Sequence, residues 1–151
     1  MDVNSYLANG LPHYEWIAVL IARLSVGVLF AISGGGKLFV AEKRKEMQET
    51  LKKAGVPAPE TMAVVLAFIE FFFGLLLALG FLTPISCVML IGVMIGALVT
   101  TVLPGIEARK PIAWLGEFLY LPETLYLVIL FWLLLSGPGA LSADYILFRP
   151  G

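Results

Sequence analysis

Cysteine and histidine are almost absent from this chain of 151 residues, with Cys87 and His13 the sole representatives. One cysteine excludes an internal disulfide and a C-x-x-C dithiol, and no Cys/His cluster has metal-ligand or haem-attachment spacing. No bound metal is expected, and no autonomous catalytic motif stands out. Charge is scarce too. Asp, Glu, Lys and Arg make up 14% of the residues, where a soluble domain usually carries about a quarter. The net charge of -1 carries little meaning by itself, and no nucleic-acid partner is expected. The first fifteen residues hold no Lys or Arg, so they lack the basic n-region of a signal peptide. The first apolar segment is expected to stay in the mature protein.

What the chain has in abundance is hydrocarbon: 60% hydrophobic residues and a mean hydropathy of +0.94. The length suits a single domain, 1–151. Long apolar runs mark a protein whose solvent is mostly lipid. Four spans are expected. The first runs over about 16–33, ended by Gly34-Gly35-Gly36-Lys37; the second over about 62–82, introduced by Gly55-Val56-Pro57-Ala58-Pro59. The third covers about 85–103 and is closed by Pro104-Gly105, and the fourth covers about 112–135 with Pro122 kinking it. The fold class is therefore an all-α membrane protein, a four-transmembrane-helix bundle.

Cationic residues in short loops tend to remain cytoplasmic. Lys37, Lys43, Arg44, Lys45, Lys52, Lys53, Arg109 and Lys110 follow spans one and three, whereas Arg149 lies at the other side. Both termini are expected outside and the longer loops in the cytoplasm of a bacterial or archaeal cytoplasmic membrane. From Glu42 to Ala54, Met47, Leu51 and Ala54 recur at helical spacing among charged residues, which reads as a cytoplasmic amphipathic segment on the membrane surface. It serves either as a connector or as a contact for anionic lipid or a soluble partner.

Ionisable residues inside a span are costly, at least about 2.5–3.5 kcal/mol by insertion scales, and tend to pair or to serve function. Arg23 lies roughly 10 Å inside the outer end of span one and Glu70 roughly 18 Å inside that of span two. The two are expected to face the bundle interior and pair, either to fix helix register or as a substrate or proton site. Glu123 follows Pro122, where a broken helix frees backbone groups that only protein or water can satisfy; with Glu70 it is a candidate for a proton path. Glu117, beside Trp114, reads as interfacial.

Other features carry less. Gly34-Gly35-Gly36-Lys37 lacks the earlier glycine of a phosphate loop, which is Ala31 here, and Leu38 stands where Ser or Thr should follow. Gly92-x-x-x-Gly96 has the small-residue spacing of closely packed helices, within one bundle or between copies in a homo-oligomer. Phe71-Phe72-Phe73 offers a candidate ring-stacking site for a quinone.

Three stretches together carry a resemblance. The first is Arg23-Leu24-x-x-Gly27-x-x-Phe30-x-x-x-Gly34-x-x-Lys37-Leu38. The second joins Gly55-Val56-Pro57-Ala58-Pro59 to Glu70-x-x-x-Gly74-x-x-Leu77-x-x-Gly80-x-x-Thr83. The third is the closing Gly137-Pro138-Gly139-Ala140-Leu141-Ser142-Ala143-Asp144. In this order they resemble the DoxX family of small four-span membrane proteins. That resemblance implies a membrane subunit or anchor of a quinone-linked or thiol/sulfur-linked redox assembly, with a soluble or membrane redox partner. With one cysteine, the partner or a bound quinone must supply the electron carrier. Physically, Ser142 and Asp144 can cap a helix or turn after the Gly-Pro-Gly break, or join Arg23 in a site near the outer surface. A small proton-coupled carrier or ligand-binding bundle, and a scaffold without a substrate, are the alternative readings.

Overall fold

A computed structural model describes residues 14–106 and 110–148. His13, Arg109 and Arg149 lie outside the described residues. Helix α1 is Glu15–Phe39, α2 Ala41–Lys53, α3 Pro59–Leu79 and α4 Thr83–Ala97; α5 is Pro111–Leu119, α6 Pro122–Ser136 and α7 Ala143–Phe148. No strand occurs among the described residues. Large apolar side chains such as Ile32, Phe68 and Leu79 point outward, each more than half exposed. Water would penalise that arrangement and lipid does not. The protein is an all-α membrane bundle.

The α1 helix is 25 residues long and passes straight through Gly34-Gly35-Gly36, so these glycines do not end the first span. They let another helix in. A Cβ at Gly34 would fall 2.6 Å from Ala67 O and 2.9 Å from Glu70 Cβ, and one at Gly27 would fall 2.6 Å from Ala78 N. From the facing helix, a Cβ at Gly74 would lie 2.5 Å from Ala31 N. Antiparallel α1 and α3 therefore meet backbone to backbone along two glycine contacts, the close approach that small residues allow in membranes.

A Schellman turn ends α3, with Gly80 at φ 68° and Phe81 N–H donating to Leu76 O. Only Gly80, Phe81 and Leu82 separate α3 from α4, so the two form a tight hairpin. Beyond Ala97 the helix widens into a π-turn at Leu98–Val102 and then tightens at Leu103–Gly105, giving a span of 23 residues. Pro104 explains the change: it has no N–H for the Thr100 carbonyl and its ring crowds that carbonyl. The fourth apolar segment is two helices rather than one, bent by 65° between α5 and α6. Pro122 forces Leu121 into extended geometry at ψ 130°, and Thr124 Oγ1 donates to Phe118 O across the break at 2.9 Å. Among the described residues, three helices are long and apolar enough to span a bilayer, and the bent pair makes a fourth if taken as one span. The core between α1, α3, α4 and α6 includes Phe30, Leu77, Leu90, Leu130 and Leu133.

Candidate functional site

Two ends of the bundle hold buried polar groups. The lysine-rich end, closed by α2, contains Glu70, which is 3% exposed. Its carboxylate accepts from Lys37 Nζ at 2.6 Å and 2.9 Å and from Ser33 Oγ at 3.2 Å. Helix geometry brings these side chains together. Each Cα–Cβ bond tilts toward its own helix N-terminus, so in antiparallel helices Lys37 leans into the bundle while Glu70 leans toward α2. They converge at the level of Gly34, where the missing Cβ removes the obstacle.

Arg23 does not pair with Glu70. It is equally buried, at 2% exposure, but its side chain tilts the other way, toward the N-terminus of α1, and Glu70 faces Ser33 and Gly34, about 15 Å further along the helix. Equal penetration of the two spans, the premise of the expected pair, fails because α1 starts well outside the level at which α3 ends. Arg23 Nη2 donates instead to Leu141 O at 2.6 Å. The guanidinium fills the space over Gly80, where a Cβ would collide with it.

The closing segment builds this second site. Asp144 accepts from the N–H groups of Leu82 and Thr83, both at 2.8 Å, while its own N–H donates to Gly80 O. Its charge also acts on Arg23. The carboxylate thus caps α4, a helix distant in sequence, and holds Leu82 at φ 51°. Ser142 caps locally: its Oγ donates to Gly139 O at 2.7 Å and accepts from Tyr145 N–H at 3.0 Å. Capping and a cluster with Arg23 are both present. Arg23 Nε and Nη1 and the hydroxyls of Thr83 and Ser86 are buried without a protein partner; such groups are ordinarily completed by ordered water.

At the lysine-rich end lies a cavity of about 860 Å³, within the range of small-molecule sites. Ser33, Lys37, Glu70 and Glu123 contribute to its polar lining, together with Lys43, Glu46 and Thr50 of α2 and Thr100 and Thr101 beyond α4. Phe30 and Tyr126, packed edge to face with centroids 5.9 Å apart, provide its aromatic wall. Leu66, Ile69, Val88 and Met89 make the rest of the wall apolar, and Met47 and Leu51 of α2 form the floor. The amphipathic segment therefore closes a cavity, with Leu51 buried, rather than lying free of the bundle.

The remaining candidates divide. Glu70 and Glu123 line one cavity, whereas Glu117 is exposed on α5. Gly92 and Gly96 contact no neighbouring helix, since a Cβ at either would meet nothing within 4 Å, and they line the cavity instead. The rings of Phe71, Phe72 and Phe73 take no part in its lining; Phe71 packs on Phe39, and Phe72 stacks on Phe68. Sequence reasoning missed Ser33 and Tyr126 as site residues. The signal for Ser33 was its position one turn before Lys37, on the side of α1 that carries Phe30 and Lys37.

Among curated proteins and among solved structures no match was found. A family model described as DoxX matches residues 18–103, more than half of the chain. The matched stretch holds Arg23, Ser33, Lys37 and Glu70 and stops short of Glu123 and Asp144. Its span, together with the helical membrane architecture, places the chain in one family: it belongs to the DoxX family.

Proposed function

We propose that this protein is the membrane subunit or anchor of a quinone-linked or thiol/sulfur-linked redox assembly, and that its cavity receives a quinone head group. The observation that carries the reading is the combination, in one cavity, of an apolar and aromatic wall with a buried Glu70 ion-paired to the half-buried Lys37. The residues suit such a group. An ammonium has three protons; Lys37 gives two to Glu70, leaving one for a carbonyl oxygen, and Phe30 and Tyr126 offer ring faces and edges. When bound, a quinone would supply the two-electron chemistry that a chain with one cysteine lacks. Lys37 orients the head by hydrogen bonding, Glu70 holds Lys37 in place, and Glu123 provides a further carboxylate for proton exchange. Electrons come from a partner, for which the basic surface of α2 at the cytoplasmic side is the natural contact. The test is quinone-linked oxidoreductase activity of the complex purified with its partners. Activity that falls by an order of magnitude or more in Lys37→Met supports the reading, and a complex with no quinone-dependent turnover contradicts it.

A second reading, a small proton-coupled carrier, draws on Glu70 and Glu123 lining the same cavity. Proton-coupled uptake into proteoliposomes containing this chain alone would decide for it.

A further inference from the structure

The cavity extends between α3 and α4 into the middle of the third span. Near their connecting turn the two helices are sealed by core residues, with Leu77, Cys87 and Leu90 fully buried. Toward the lysine-rich end the cavity lies between them, flanked by Leu66 and Ile69 of α3 and by Val88, Gly92 and Gly96 of α4. Val88, Gly92 and Gly96 line the cavity and are exposed rather than buried in helix contacts. All three lie inside the uncharged span Thr83–Gly105, where the surroundings of the bundle are hydrocarbon. The two glycines leave the gap unfilled, because a Cβ at either would meet nothing within 4 Å.

The polar end of the cavity restricts what can come through. Lys43, Glu46 and Glu123 line the cavity as well, but its most buried polar group is Glu70, which Lys37 neutralises at 2.6 Å, so a head group seated on that pair meets no net charge. At that pair a charged head would stand beside a group that already has its counter-ion, next to the buried Glu70 carboxylate, and desolvation opposes that. An uncharged oxygen can accept the remaining Lys37 proton and leave the pair intact. We infer that the cavity takes a bilayer-resident amphiphile with an uncharged, oxygen-bearing head and an apolar body, admitted sideways from the membrane between α3 and α4 past Gly92 and Gly96. The inference deepens the site reading above and rests on the same cavity, but it does not require the ligand to be redox-active.

Photoreactive long-chain probes test it. Vesicles containing the full chain are illuminated with diazirine-bearing alkyl chains that end in an alcohol, a carboxylate or an ammonium group, and labelled peptides are mapped. The alcohol is expected to label the cavity-facing segments of α3 and α4, about tenfold or more above the two charged probes. Gly92→Leu and Gly96→Leu should reduce that labelling by a similar factor, while Gly116→Leu on α5, equally open, leaves it unchanged. Unaltered elution and melting of the leucine variants confirm that they fold. Equal labelling by all three probes, undiminished labelling in both leucine variants, or efficient crosslinking of two copies through cysteines placed at 92 and 96 would overturn the inference. Alcohol labelling without quinone-linked turnover sinks the redox reading alone; quinone turnover unaffected by the leucine substitutions sinks lateral access alone.

Discussion

Lys37 and Glu70 form an ion pair at 2.6 Å, between a residue near the end of α1 and one in the middle of α3. The contact exists because Gly34 lets the two helices touch and because side chains on antiparallel helices lean toward each other's level. Glu70 is nearly inaccessible, while Lys37 keeps 26% of its side-chain surface. Pairing of this kind is measurable as non-additivity. A double-mutant cycle with Lys37→Met and Glu70→Gln, followed by unfolding in detergent micelles, should give a coupling energy of about 0.5–3 kcal/mol. The same cycle with Arg23→Gln and Glu70→Gln should give at most about 0.5 kcal/mol, the additivity expected of distant sites. A larger coupling for the Arg23 cycle would mean that the two buried charges meet after all.

Glycines separate into packed and open sets. At Gly74 a Cβ would press on the Ala31 backbone at 2.5 Å, whereas at Gly92 it would meet nothing. Gly74→Ala is therefore expected to destabilise the bundle by about 1–3 kcal/mol through overpacking. Gly92→Ala should stay within about 0.5 kcal/mol. Thermal melting of the two variants in the same detergent checks the contrast.

Asp144 ties the end of the chain to the α3–α4 turn through two N–H groups at 2.8 Å. Its loss removes charge-assisted hydrogen bonds to a turn that holds Leu82 in left-handed geometry. Asp144→Ala should cost about 1.5–3 kcal/mol, and Asp144→Asn, which keeps one acceptor oxygen, should cost less. Proteolysis at the Gly80–Thr83 turn, slow in the wild type and faster in Asp144→Ala, reports the same release.

Much of the bundle was legible in the sequence because lipid imposes long apolar runs, and Pro59 and Pro122 fell where helices begin. The second span, expected to reach about 82, instead ends at Leu79 because the turn is made by Gly80-Phe81-Leu82. The length of α1 was misread because glycine signals both termination and close packing, and only the facing helix tells which applies at Gly34. Arg23 and Glu70 were both recognised as buried charges. Their partners were not, because pairing depends on register and on the direction in which each side chain leans, neither of which hydropathy reports. The contact between Asp144 and the α4 N-terminus joins residues about sixty positions apart, beyond the reach of any local pattern.

The central claim is that the Lys37–Glu70 pair heads a cavity for an uncharged amphiphile. Equilibrium titration of the purified chain in detergent with a short-chain quinone, read by quenching of tryptophan fluorescence, tests it most directly. Saturable one-site binding in the wild type, weakened about tenfold or more in Lys37→Met and unchanged in Glu117→Gln, is the predicted result. Saturable binding that Lys37→Met leaves intact, or none in a wild-type chain that melts cooperatively, would contradict it.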